Sequence, residues 1–166
     1  MIQFLLLISR HGKVRLSKWY SAFSSKDKAR IVRECAQLAV NRNPKNSNFV
    51  DNAVRAGSNH PPGQPTLKLV CKRYASLFFV AAISPDENEL LVLEKIHHFV
   101  EVLDKYFRNV CELDLIYNFH RAYMLLDEVI LGGELVESSK KSILKAVQHQ
   151  ENLLEEGSSS PSVFSE

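Results

Sequence analysis

Few residues of this chain are placed for chemistry. His97 and His98 are adjacent in a run that reads as helix, so their rings point about 100° apart and do not suit one metal ion. No second ligand cluster accompanies them, and His97 falls beside an apolar stripe, where it reads as a packed core histidine. His120 reads as a helix-surface residue. Asp86, Glu87 and Glu89 gather where a helix starts, and carboxylates there answer the helix dipole better than they explain acid–base catalysis. The three cysteines, Cys35, Cys71 and Cys111, are odd in number, widely spaced and without a CxxC pair, the pattern of reduced, mostly buried thiols in a cytosolic protein. GxxxxGK[ST], GxSxG, HExxH and GxGxxG are all missing. The chain is therefore expected to be no enzyme, with no catalytic residue, no metal site and no cofactor. What remains is "KVRLSKWY", residues 13–20, where Arg15 stands among lysines on a strand face and awaits either solvent or an acidic ligand.

Composition narrows the partners. Of 166 residues, 45% are hydrophobic and 24% charged, which is enough to bury a core in one domain. The net charge of +2, with bases and acids interleaved, gives no footprint for nucleic acid. The opening "MIQFLLLIS" lacks a positive n-region and a small-residue cleavage site, and it is too short to span a bilayer. It reads as a buried strand. No other run approaches a membrane span, so any membrane association is expected to come through partners.

The elements that position these residues follow from pattern. Ile2–Ser9 and residues 14–20 form a hairpin around His11-Gly12, with Val14 and Leu16 on one face and Lys13, Arg15, Ser17 and Trp19 on the other. Ser24 or Ser25 caps a helix to about Asn41, striped by Ile31, Val32, Cys35, Leu38 and Ala39 and stopped by Pro44. Residues 48–50 suggest a short strand. Residues 67–73 and 77–83 form a second hairpin through Tyr74-Ala75-Ser76. A helix over 88–107 carries two apolar stripes, one through Leu90, Leu93, Ile96, Val100, Leu103 and Phe107, the other through Val92, Phe99, Val102 and Tyr106. One stripe belongs on the sheet. The other needs a neighbouring helix or a partner chain. A third helix is expected over 114–131, ended by Gly132-Gly133. A fourth starts near Ser138 or Ser139 and uses Ile143, Leu144, Val147 and Leu154, after which residues 155–166 read as a short flexible tail. Residues 51–68, with three prolines and two glycines, read as an exposed, disordered loop. The order is that of an α+β domain, a five-stranded antiparallel sheet with helices packed on it.

Several stretches together resemble a known family. "LLISRHGKVRLSKWY", "CKRYASLFFVAAI", "DNELLVLEKIHHFVEVLDKYF", "NVCELDLIYNFHRAYMLLDEVILGGEL" and "ESSKKSILKAV" are similar to the sigma (small) subunits of clathrin adaptor complexes, from Met1 to about Leu154. "ISRHGK" and "GGELVESSKKSILKA" are most similar to the sigma subunit of adaptor protein complex one, with the plasma-membrane complex as the nearest alternative. The resemblance implies a longin-like fold over 1–154 and a place in a heterotetramer with a gamma-type large adaptin, a beta-type large adaptin and a mu chain. Clathrin would be met only indirectly and the membrane only through the complex. It implies residence in the cytosol and on the cytoplasmic face of the trans-Golgi network, endosomes and clathrin-coated vesicles. It also implies a cargo site for acidic dileucine signals, [DE]xxxL[LI], in the cytosolic tails of membrane proteins. On the family pattern the leucine pocket matches Ala75, Leu77, Val100, Asn109, Val110 and Leu115, and the basic contact matches Arg15. From the residues alone, the apolar members of this set would be ordinary core. Family members have a tight connection where this chain has 51–68. A free-standing longin-type trafficking regulator is the alternative from another class, and the lack of a heptad-patterned helix after the domain counts against a SNARE.

Overall fold

The computed structural model describes residues 1–54, 66–132, 134–135 and 139–158. The elements in chain order are β1 (Ile2–Ser9), β2 (Val14–Trp19), α1 (Ser25–Asn41), β3 (Phe49–Val54), β4 (Leu67–Tyr74), β5 (Leu77–Ile83), α2 (Glu89–Phe107), α3 (Glu112–Tyr117), α4 (Phe119–Val129), the two-residue strands β6 (Ile130–Leu131) and β7 (Glu134–Leu135), and α5 (Lys140–Ser158). β1 has an unbroken apolar run because both of its faces are covered. Phe4, Leu6 and Ile8 join one core cluster, and Ile2, Leu5 and Leu7 join the other. The five large strands pair antiparallel in the order β2-β1-β5-β4-β3.

On one face lies α1, capped by Ser24, whose hydroxyl accepts the Asp27 N–H at 3.1 Å. Its Ile31, Cys35, Ala36 and Ala39 pack on Phe4, Leu6, Ile8 and Val80. Phe4, Trp19 and Phe23 form an aromatic group beside it, with Phe4 and Trp19 ring centroids 4.8 Å apart, so Trp19 is a packing residue. The opposite face carries α2, capped by Asn88 and flanked by α4 and α5, which also pack on each other. The middle of both apolar stripes of α2, Val92, Ile96, Phe99, Val100, Val102 and Leu103, is thus covered within the chain, while Leu90 at its start is 64% exposed. No partner chain is needed to cover that middle section.

Several expectations require correction. The helix expected over 114–131 is two helices, broken at Asn118 (φ −122°, ψ 36°). Asparagine bonds locally to backbone and favours such breaks, a tendency that an apolar stripe does not reveal. The chain then leaves α4 as β6 and turns through Gly132 at φ +59°. β3 runs to Val54 and pairs Val54 with Leu67, so the strands take in both ends of the segment read as a loop. Its residues 55–65 lie outside the described ones. α5 continues to Ser158, so four residues placed in the tail are helical, and 159–166 lie outside the described residues. His97 is not a core residue. Its side chain is 54% exposed and meets Glu101 at 2.7 Å and Lys72 at 3.1 Å.

The most consequential correction is in β2. Ile8 opposes Val14 and Leu7 opposes Leu16, which leaves Arg15 as an extra, unopposed residue. This is a β-bulge, and it reverses the facing of what precedes it. Val14 joins the α1-side cluster and Leu16 the α2-side cluster, although simple alternation puts them together. β2 is also an edge strand. At its midpoint the Tyr123 hydroxyl of α4 donates to the Ser17 carbonyl and accepts the Ser17 N–H, both at 3.0 Å.

Tyr123→Phe removes both bonds to Ser17 and is expected to cost about 1–2 kcal/mol in urea unfolding. Tyr117→Phe, at a side chain that is 76% exposed, is the neutral control. Equal stability of the two variants would mean that water serves Ser17 as well as the phenol does. A second expectation concerns the thiols. Burial pushes Cys35 up to about 12 and Cys71 up to about 11, so neither forms thiolate near neutrality. Cys111 is only half-buried. Alkylation of the folded chain at mildly basic pH is expected to label Cys111 first, and comparable labelling of Cys35 would contradict the packing under α1.

Candidate functional site

The expected site residues lie on β2, the β4–β5 turn and the start of β5, α2, the α2–α3 connection and α3. Leu77, at the start of β5, Val100 on α2, Val110 in the α2–α3 connection and Leu115 on α3 share one core cluster. Their exposures are 0%, 1%, 3% and 1%, so their side chains are covered. Half-buried aromatics, Tyr74 and Phe107 among them, pack on the same cluster. Ala75 and Asn109 are exposed at the rim.

The rim is held in unusual backbone. Among the described residues, the non-glycine positions with positive φ are Ala75 (52°), Arg108 (51°) and Asn109 (75°). All three belong to this site. Left-handed backbone costs L-residues on the order of 1 kcal/mol or more and persists where surrounding contacts enforce it. Ala75 and Ser76 form the two-residue turn between Tyr74 and Leu77, and a first central residue with positive φ matches the twist of the strands. The Arg10 N–H donates to the Ser76 carbonyl at 3.1 Å and ties this turn to the β1–β2 connection.

Asp104 holds the second rim. Its carbonyl accepts the N–H groups of Arg108 and Asn109, and its carboxylate accepts the Val110 N–H at 3.1 Å. The nearby Asp104 carboxylate also pushes the Tyr74 phenol above its ordinary value. One residue therefore fastens the end of α2 to the connection that follows it. Asp104 was not among the expected site residues. A signal was present, because an aspartate in the last turn of a helix opposes the dipole and needs a compensating set of donors.

Arg15 does not stand open. The bulge aims it at α3, where its Nε donates to Glu112 Oε1 at 2.8 Å and its Nη2 lies 2.7 Å from the same oxygen. The two side chains are 25% and 22% exposed. Arg15 thus joins the other residues indirectly, through an acid that lies between Val110 and Leu115. Sequence reading passed over Glu112, although "VCELDL" contains it. In net effect the cluster offers an apolar floor, a rim of left-handed backbone and a guanidinium already matched by a carboxylate.

Comparison with known proteins adds a second line. Residues 1–154 match the family described as clathrin adaptor complex small chain. The chain is 53% identical over 154 residues to AP-1 complex subunit sigma-2 of Dictyostelium discoideum, covering 93% of this chain and 92% of that one. It is 48% identical over 166 residues to AP-1 complex subunit sigma-1A of Homo sapiens, covering 100% and 98%. In backbone it matches a chain of a homology model of the full-length AP-3 complex in a stretched open conformation, with TM-score 0.71, 27% identity, and coverage of 96% and 98%.

The rim geometry makes a distinct expectation for Asn109. Asn109→Gly keeps access to φ 75° and is expected to leave stability within about 0.5 kcal/mol, whereas Asn109→Val, β-branched, is expected to lose about 1–3 kcal/mol. Denaturant midpoints of the two variants measure the difference. Equal values would show that the rim relaxes out of the left-handed region.

Proposed function

The chain belongs to the clathrin adaptor complex small-chain family, and we propose that it serves as the sigma subunit of an AP-1-type heterotetramer, with a site for acidic dileucine signals. Members of this family are adaptor subunits and not enzymes. The observation that carries the assignment is identity of 48–53% to AP-1 sigma subunits along nearly their whole length. On this reading residues 1–154 form the small-subunit domain. Its partners are a gamma-type and a beta-type large adaptin and a mu chain, with clathrin recruited indirectly. Its place is the cytoplasmic face of the trans-Golgi network, endosomes and coated vesicles. Exposed apolar side chains support burial against another subunit. They are Leu90 and Leu91 at the start of α2, and Leu113, Tyr117 and Phe119 around the α3–α4 break.

The cargo reading is supported by the shared core cluster of Leu77, Val100, Val110 and Leu115, by the left-handed backbone of Ala75 and Asn109, and by the ion pair that joins Arg15 to α3. An incoming leucine must first displace a side chain at the rim, because these four are covered. Burying two leucines gains roughly 3–6 kcal/mol. A partly exposed charge pair adds about 1 kcal/mol at most, and ordering the tail offsets part of the total. The expected affinity is about micromolar or poorer. Many such contacts on one coated membrane gain avidity while each remains reversible.

The test is peptide binding to the purified heterotetramer. Arg15→Ser is expected to weaken a [DE]xxxL[LI] peptide by at most about fivefold, less so at high salt, and to leave a peptide without the acid unchanged. Val100→Asp places a charge in a fully covered position and is expected to abolish binding of both. Co-purification with the large adaptins checks that each variant still assembles. Two assembled variants that bind like wild type would remove the cargo site from these residues.

A further inference from the structure

We propose that Glu112 is a built-in competitor for Arg15, setting how strongly the site prefers an acidic residue upstream of its leucines. The inference deepens the dileucine reading and rests on it. The Nε and Nη2 groups of Arg15 form the edge of the guanidinium that grips a carboxylate with two parallel bonds. Here both converge on one oxygen of Glu112, at 2.8 and 2.7 Å. Nη1 has no acceptor among the described residues. The two side chains are each about three-quarters covered, so the pair is screened less than one on open surface.

An arriving acid therefore meets a neutral pair. It can take Nη1 and sit beside the Glu112 carboxylate, which repels it. Alternatively it can displace Glu112, which must then be rehydrated. Both routes weaken acidic ligands and leave neutral ones untouched. Because Glu112 lies between Val110 and Leu115, on the segment that walls the leucine cluster, the competing charge is fixed relative to the apolar floor. The bulge makes this arrangement possible, since it aims the unopposed Arg15 at α3.

The experiment uses the assembled heterotetramer carrying Glu112→Gln, which keeps the shape and removes the charge, with Glu112→Ala as a second variant. Two peptides are titrated by fluorescence anisotropy at low and high salt. One has glutamate four positions before its leucine pair, and the other has alanine there. Glu112→Gln is expected to tighten the glutamate peptide by roughly two- to fivefold at low salt, with a smaller gain at high salt. The alanine peptide is expected to be unchanged. Equal change for both peptides, no change for either, or weaker binding of the glutamate peptide would overturn the proposal and make Glu112 a positioning or purely structural residue. If the wild-type complex binds neither peptide, the dileucine reading itself falls and this proposal with it. That outcome is distinct, because it appears before any variant is compared.

Discussion

The constraint on which this molecule turns is that β1 is buried on both faces. Phe4, Leu5, Leu6, Leu7 and Ile8 are all inaccessible to solvent. Alternate side chains point to opposite faces of a sheet, so two separate helical layers are required. α1 supplies one, and α2 with α4 and α5 supplies the other. With β1 and β5 side by side in the centre, β2 is pushed to an edge, and α3 and α4 are free to close against it. Arg15 and Glu112 meet at that junction.

Rigid centre and strained margin complement each other. The three described non-glycine residues in left-handed backbone lie at the rim of the candidate site, and Asp104 pins the segment that holds Arg108 and Asn109. Strain of this kind survives only beside well-packed structure. Here the neighbours are Leu77, Val100, Val110 and Leu115, all deep in the α2-side core. The residues that would touch a ligand and the residues that hold the fold together are thus largely the same. Substitutions at the apolar floor cannot change binding without touching stability, whereas Arg15 and Glu112 stand apart enough to be altered with less effect on the core.

What was legible in the sequence is what hydrophobic period encodes. β1 and β5 show as unbroken apolar runs, α1 shows through its cap and stripe, and the α+β order follows from element sequence, with the longin-like fold implied by the family resemblance. The candidate site residues come from the family resemblance, since from pattern alone the apolar ones read as ordinary core. The misses share a different cause. The bulge at Arg15, the break at Asn118 and the exposure of His97 each turn on the local geometry of one or two residues. A period averaged over many positions is insensitive to these. Strict alternation predicts the wrong face for Val14 because it assumes one residue opposite one residue. Glu112 was passed over for a related reason: its partner lies 97 positions away, and only the fold makes them neighbours.

Tyr123 at the β2 edge has a bearing on how ligands are read. An exposed strand edge commonly recruits extended peptides by adding them to the sheet, and main-chain pairing then supplies affinity with little regard for sequence. The phenol hydroxyl occupies both outward backbone groups of Ser17 at the middle of that edge. Strand addition is blocked there. A peptide held nearby would have to be recognised through its side chains, so discrimination would fall on a few contacts and one changed residue could abolish it.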